Sequence, residues 1–425
     1  MNHGISLKQN GKVYFGWYIV FVCILLMFFA YAGIISVVSV FVLPVTQELN
    51  ISRVTFMTSA LTIASVISII ISVPSGKLLE KNNIKLIMAV NCVIAFVGYF
   101  LLSKATAVWM LMMAYTCLGI AFTQLTTIPI SILVNNWFGA KCKGRVMGIC
   151  FVGSGIGGIA LLPITSYFIE KFGWRVAAFS LGLMFVVILL PLVLLFITKT
   201  PEQKGFVRMG EGHEQTQRIG NEKGMSFQDA KKSFTLWLVF IVILFGNLLG
   251  SGLMVNLVPY FVECNFSSTL ASGFAGLQLG SLIIGKPLLG FLCDKLGAKK
   301  AGFLSTIFLA VTFLFLCILK MEKSYIVYIV MLFYALGGAG LTVLPPIWVT
   351  ELFGEKDYGT ILGLFQIAVG LGGAFGGSLA AGIFDQTGSY TLFWVLGSAV
   401  LFICAIFVLV SYRNKNKFHE ELLVN

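Results

Sequence analysis

Twelve apolar runs, each long enough to cross the hydrocarbon of a bilayer, constrain this chain more than any other feature. They lie near residues 17–43, 54–75, 84–103, 107–134, 146–169, 174–198, 235–261, 270–292, 301–319, 325–350, 359–384 and 390–411. About 20 apolar residues suffice for a helix to span a hydrocarbon core roughly 30 Å thick. None of the runs alternates apolar with polar residues, as a membrane barrel strand must, so each is read as a spanning helix. The make-up agrees: 58% of the 425 residues are hydrophobic and 11% charged, against about a quarter charged in soluble domains. The expected fold class is all-α and integral to a cell membrane, with twelve spans.

A net charge of +12 raises the question of nucleic acid, and its distribution answers it. With both termini placed in the cytoplasm, the inside segments hold 22 Lys and Arg and the outside loops 6 (Arg53, Lys104, Lys171, Arg175, Lys320, Lys323). That asymmetry is the positive-inside rule, so the basic excess sets topology and implies no nucleic-acid partner. Six of the seven tryptophans (Trp17, Trp109, Trp137, Trp174, Trp237, Trp348) fall near predicted helix ends, where an interfacial belt would place them. The nine cysteines are scattered without metal-type spacing, which implies neither a disulfide framework nor zinc. The N-terminus lacks a small-residue cleavage site ahead of a run of full spanning length, so no removable signal peptide is expected.

Residues 199–233 are the only long polar stretch, a cytoplasmic linker between an N-terminal six-helix bundle (1–198) and a C-terminal one (234–425). The two halves align at an offset of about 215: Pro44 and Glu48 fall on Pro259 and Glu263, and FGAKCKGRVMG at 138–148 on FGEKDYGTILG at 353–363. Gly155, Gly157 and Gly158 fall on Gly370, Gly372 and Gly373. The chain is therefore read as a duplication, and parallel halves about a central site are a transporter architecture. The same register disposes of GSGIGG at 153–158, whose spacing matches a dinucleotide-binding turn. Inside a spanning helix these glycines let two helices approach closely in lipid.

GFLCDKLGAKK, residues 290–300, resembles the loop signature of the major facilitator superfamily through Gly290, Leu292, Asp294, Gly297, Lys299 and Lys300. A weaker copy, GKLLEKNNIK at 76–85, keeps Gly76, Leu78 and Lys85, has Glu80 for the aspartate and Asn83 for the second glycine. The resemblance implies two pseudo-symmetric six-helix bundles and gives Asp294 and Glu80, with Gly290, Lys299 and Lys300, a gating role. Physically, a carboxylate at a helix end pairs with a basic residue or a helix N-terminus and holds one conformation closed.

Lys286 lies eight residues before Asp294, about 12 Å up helix 8 and so near the midplane of a core about 30 Å thick. A cation there costs roughly 2.5–3.5 kcal/mol on the lenient insertion scale, so it should face a polar cavity. All seventeen Asp and Glu fall in loops, tails or helix ends, and a substrate anion is the counter-charge expected for Lys286. KPLLGF at 286–291 is similar to the basic-Pro-x-x-Gly stretch in helix 8 of monocarboxylate transporters, and FAYAGIIS at 29–36 and YFGW at 14–17 are similar to their first helix. The oxalate:formate antiporter family shares that lineage, and the resemblance implies that Lys286 stands where the family has a substrate-binding arginine. Three departures matter: the family's acid one turn before that arginine falls at Leu282, its first-helix lysine at Ile35, and helix 11 contains no cation. One cation favours a monocarboxylate over a dicarboxylate, and the absent acid weighs against the usual proton route. Tyr31, Gln124, Asn247, Asn256, Gln278, Tyr334 and Gln366 are polar groups at mid-helix depth that could orient the ligand or bond a neighbouring helix.

These features predict a secondary carrier for a small organic anion that works by alternating access, exchanging it for a counter-anion or moving it with a proton, with a single chain as the working unit. The alternative is a broader metabolite or drug exporter of the same fold, its pocket lined by the 38 Phe and 13 Tyr. No cofactor or metal is implied. An intramembrane enzyme would need a nucleophile with its base, or a metal cluster, at membrane depth, whereas His3, His213 and His419 all lie in tails or the linker. A linker of about 35 residues is also too small to be the output module of a sensor.

Overall fold

The computed structural model of the protein describes residues 8–9, 12–210, 224–319 and 325–424. Residues 211–223 of the expected linker, with His213, and Lys320 and Lys323 of an expected outer loop lie outside the described residues. Among the described residues twelve helices are long and apolar enough to cross a membrane, and each overlaps one predicted run: α1 Gly16–Leu49, α2 Thr55–Lys81, α3 Ile84–Ser103, α4 Val108–Trp137, α5 Lys143–Phe172, α6 Trp174–Phe196, α7 Phe234–Glu263, α8 Gly273–Leu296, α9 Ala298–Cys317, α10 Tyr325–Leu352, α11 Tyr358–Thr387 and α12 Thr391–Arg413. Helix α1 runs six residues beyond the predicted end, through Pro44, because Asn50 in the left-handed conformation (φ 51°) closes it, a position asparagine tolerates well.

The chain divides into two compact units, Met1–Ile219 and Gly220–Asn425, which repeat one packing scheme. In the first unit α1 packs on α5, α3 on α4 and α6, and α2 on α4; in the second α7 packs on α11, α9 on α10 and α12, and α8 on α10. The repeated glycines explain the first of these pairings. A Cβ on Gly157 would lie 2.5 Å from the Phe28 carbonyl oxygen, and one on Gly372, its counterpart, 2.6 Å from that of Leu244. Only glycine lets the helix backbones meet this closely.

Not all of the predicted tryptophan belt faces outward. Trp109 and Trp237 are exposed, but Trp137, Trp174 and Trp348 are buried. Two of these indoles serve as internal ties, Trp137 donating to the Thr198 carbonyl (2.9 Å) and Trp174 to the Glu48 carboxylate (2.5 Å). Glu48 also accepts from Arg175 at 2.8 and 3.1 Å, while Arg175 donates to the Ser103 carbonyl. The far ends of α1, α3 and α6 are thus joined by one carboxylate and one guanidinium.

The described ends of the linker are built into the units. Asn136 donates to the Lys199 carbonyl, Met209 donates to Trp137 and accepts from Gly139, and Phe206 packs edge-on against Tyr14. In the second unit Met225 donates to Phe353 and Phe227 to the Asp357 carboxylate. Both attachments fall on the duplicated F-G-x-K loops, at Phe138 and at Gly354.

Candidate functional site

Helix α8 carries Lys286 through an otherwise apolar run, and Pro287 sits inside the helix beside it. Proline has no N–H to offer the carbonyl one turn earlier, that of Ile283, so the backbone hydrogen-bond ladder is interrupted beside the lysine. Lys286 is only 4% exposed. The residue before it, Gly285, lies against α10: a Cβ there would collide with the Ala335 carbonyl oxygen. That contact puts Lys286 and Tyr334, one residue from it on either helix, at the same level of the second unit, and Tyr334 is likewise buried.

Gln278, about two turns before Lys286 on α8, is 2% exposed, and its amide nitrogen has no hydrogen-bond partner among the described residues. An unsatisfied buried donor costs about 1–3 kcal/mol, so the position suits a water or a ligand acceptor. Asn256 is engaged differently. Its amide donates to the Gly252 carbonyl (2.9 Å) and the Gly377 carbonyl (3.1 Å) and accepts from Tyr390 (3.3 Å), tying α7 to α11. Asn247 donates to the Ile243 carbonyl of its own helix and lines a cavity of about 30 Å³ with Ser305, Thr306 and Trp348; Lys286 is not among its walls. Gln366 is half-buried on α11.

In the first unit Tyr31 and Gln124 approach through one intermediary. The Tyr31 ring lies 5.5 Å from that of Phe122 on α4, two residues before Gln124. Gln124 is buried, donates to the Ser75 hydroxyl of α2 (3.0 Å), and leaves its carbonyl oxygen without a partner among the described residues.

The two copies of the signature loop differ for a local reason. Gly297 caps α9 at φ 80°, ψ 152°, a conformation that side chains rarely adopt, and it has no side chain to satisfy the helix N-terminus. The carboxylate of Glu351, from the end of α10, accepts from Ala298 N–H (3.1 Å) in its place, and from the Tyr412 hydroxyl (2.8 Å). In the first half Asn83 stands at the equivalent cap with φ −73° and accepts from Lys85 and Leu86 N–H itself. Asparagine in the signature's glycine position therefore exchanges a strained turn for a self-capped one. Asp294 and Glu80 are half-buried near the ends of α8 and α2, Gly290 is buried, and Lys299 and Lys300 are exposed in the first turn of α9.

The Major Facilitator Superfamily profile matches residues 20–285 and 266–422. The chain belongs to the major facilitator superfamily. Among its curated relatives, this transporter is 25% identical over 422 residues to the oxalate:formate antiporter of Oxalobacter formigenes, covering 96% of this chain and 95% of that one. It is 28% identical over 336 residues to human monocarboxylate transporter 12, covering 73% and 64% respectively. Among solved structures, the human organic anion transporter MFSD10 shares the fold with a TM-score of 0.69 at 14% identity, over 92% of this chain and 98% of that one. As a superfamily transporter, the protein is not an enzyme.

One feature of this superfamily member was not visible in its sequence. The middle of α1, Met27–Ser36, is a π-helix of 10 residues, and it contains the whole FAYAGIIS stretch, Tyr31 included. Tyr99 of α3 donates to the Gly33 carbonyl within it. π-Helical segments are rare, and a frequent place for them is a functional site. Because every residue of MFFAYAGIIS is apolar, aromatic or small, no periodicity could betray the change of winding.

Proposed function

We propose that this transporter carries a small organic anion, a monocarboxylate in the first instance, by alternating access, with Lys286 as the group that binds the carboxylate. The observation that carries the reading is a lysine 4% exposed in mid-span, at the level of the buried Tyr334. A cation kept at such depth despite its insertion cost is by default a substrate or ion contact. Gln278 and Gln124, each with a buried amide atom lacking a partner among the described residues, are the next candidates for the ligand's oxygens and hydroxyls. The names of the relatives, an oxalate:formate antiporter and a monocarboxylate transporter, support the substrate class.

Exchange is the coupling we favour. Every carboxylate within a span lies within two residues of its end, as do Glu48, Glu80, Glu170, Glu263, Asp294, Glu351 and Asp385, and no histidine lies in a span. Proton relays through membranes use such groups, so the chain lacks the usual means of moving a proton in step with its substrate. The inside placement of most lysines and arginines supports cytoplasmic termini. The test is counterflow in proteoliposomes with labelled formate, lactate and oxalate. Exchange predicts that preloading with unlabelled anion accelerates uptake strongly. Accumulation in empty vesicles driven by a pH gradient alone would instead show proton symport, and no saturable uptake of any carboxylate would overturn the substrate class.

A further inference from the structure

The cavity of about 30 Å³ that Asn247 lines is separate from Lys286, and its walls have a chemistry of their own. It lies within the second unit between α7, α9, α10 and α12, and none of the residues lining it is charged. Two features of α10 leave hydrogen-bonding capacity beside it. Trp348 is 3% exposed, and its indole N–H has no partner among the described residues. The edge carrying that N–H faces α9, since a Cβ on Gly302 would lie 3.1 Å from the indole nitrogen, and the Gly302 carbonyl already accepts from the Thr306 hydroxyl (2.9 Å). The second feature is Pro345, inside α10 and also in the cavity wall. A proline has no N–H, so the carbonyl one turn earlier, that of Leu341, receives no bond from it. Leu341 lines the same space. The cavity thus has one unspent donor and one acceptor left over from the helix ladder, whereas the Ser305 hydroxyl in its wall is spent on the Leu336 carbonyl (2.9 Å). Much of the remaining wall is apolar, formed by Val242, Leu309, Leu344 and Leu401.

One donor, one acceptor and an otherwise apolar wall match a hydroxyl on a short hydrocarbon. A charged ligand is excluded, because no side chain in the wall could neutralise it. Length is limited by volume: about 10–15 Å³ holds one water, so 30 Å³ holds two or three atoms of that size. We propose that this cavity binds one short primary alcohol, of methanol or ethanol size. Its oxygen accepts from the Trp348 N–H, and its hydroxyl hydrogen is donated to the Leu341 carbonyl. The carbon tail lies against the leucines and Val242, a burial of apolar surface that water in the same place does not supply. Leu341 is the point of entry. It is half-buried, and its side chain rests in a notch of α7, where a Cβ on Gly246 would lie 3.1 Å from one of its methyl groups and a Cβ on Gly250 would collide with the other.

The test uses the full-length protein in lipid nanodiscs, its seven tryptophans labelled with nitrogen-15 at the indole and observed by NMR. Trp348→Phe identifies the Trp348 resonance by its disappearance. Titration with ethanol should move that resonance along a saturating curve, with half-saturation between about 0.5 and 50 mM, the range open to a ligand of three heavy atoms. Pro345→Ala returns an N–H to the Leu341 carbonyl and should weaken ethanol binding about three- to tenfold. Hexanol, whose chain exceeds the cavity, should leave the resonance in place. A linear drift shared by all seven resonances would mark an effect on the bilayer, and a Trp348 resonance unmoved by ethanol would assign the space to water; either overturns the proposal. An equal response to hexanol, or unchanged ethanol affinity in Pro345→Ala, would overturn it as well. If Trp348→Phe fails to fold, a saturating shift of a single resonance in the parent, weakened in Pro345→Ala, decides in its place.

Discussion

Replacing Lys286 with glutamine removes the charge and shortens the side chain by one atom while keeping a hydrogen-bond donor, which makes it the sharpest test of the carboxylate site. The lysine is 4% exposed, so its contact with an anion would be made out of water. A hydrogen bond to a charged group contributes about 1.5–3 kcal/mol, and truncating one partner of a buried charged pair costs about 2–5 kcal/mol. Taking about 3 kcal/mol, Lys286→Gln should weaken anion binding roughly 150-fold, at about 1.4 kcal/mol per factor of ten. Lys286→Arg keeps the charge on a bulkier planar head, in a region where Gly285 already lies against the Ala335 backbone, and should retain part of the affinity. The assay is equilibrium binding of labelled formate and lactate to purified protein, with thermal unfolding recorded on the same samples. A Lys286→Gln variant that unfolds at the parent's temperature and binds the anion within threefold of the parent would refute the assignment.

Other expectations concern the gate and the helix seams. Asp294→Asn should slow turnover more than it raises KM in counterflow assays, because Asp294 lies two residues from the end of α8 and far from Lys286; the reverse split would place it at the binding site. Gly297→Ala should lower stability by about 1–3 kcal/mol through backbone strain alone, since a Cβ there meets nothing within 4 Å, and Asn83→Ala by about 1 kcal/mol through loss of its cap; thermal unfolding of both variants checks this. Gly376→Ala should cost about 1–3 kcal/mol by forcing α11 off the Leu248 carbonyl, whereas Gly373→Ala, with open space around it, should stay within about 0.5 kcal/mol of the parent.

How far the sequence reached can be judged residue by residue. The twelve spans were legible because a run of apolar residues has few other uses, and Lys286 was legible because a charge in such a run is costly enough to need a reason. The glycines at 157 and 372 announced close helix packing through their repeat. The bonds of Asn256 were not legible, since an amide at mid-span serves a ligand or a neighbouring helix equally well, and its partners Gly377 and Tyr390 come close only in the fold. Tryptophans near helix ends read as interfacial anchors, but Trp137 and Trp174 are spent on a carbonyl and a carboxylate inside the first unit. The substitution of Asn83 for glycine was visible as a departure, while its meaning, a cap that supplies its own acceptor, required the backbone angles.

The docking of the linker on the duplicated F-G-x-K loops has a consequence for how the gene product can be divided. Met209 is held at Phe138 and Met225 at Phe353, so the described backbone bonds of the linker end at Met209 and resume at Gly224, and a division between those two positions breaks none of them. A protease site, an epitope or a fluorescent protein inserted there interrupts none of the backbone hydrogen bonds described, whereas the same insertion at Lys204 or Ala230 would tear out part of a half. Two separately translated polypeptides divided there would each retain their own clasp, and co-expression of such fragments would turn one carrier into a two-component system whose parts can be labelled, mutated and titrated independently.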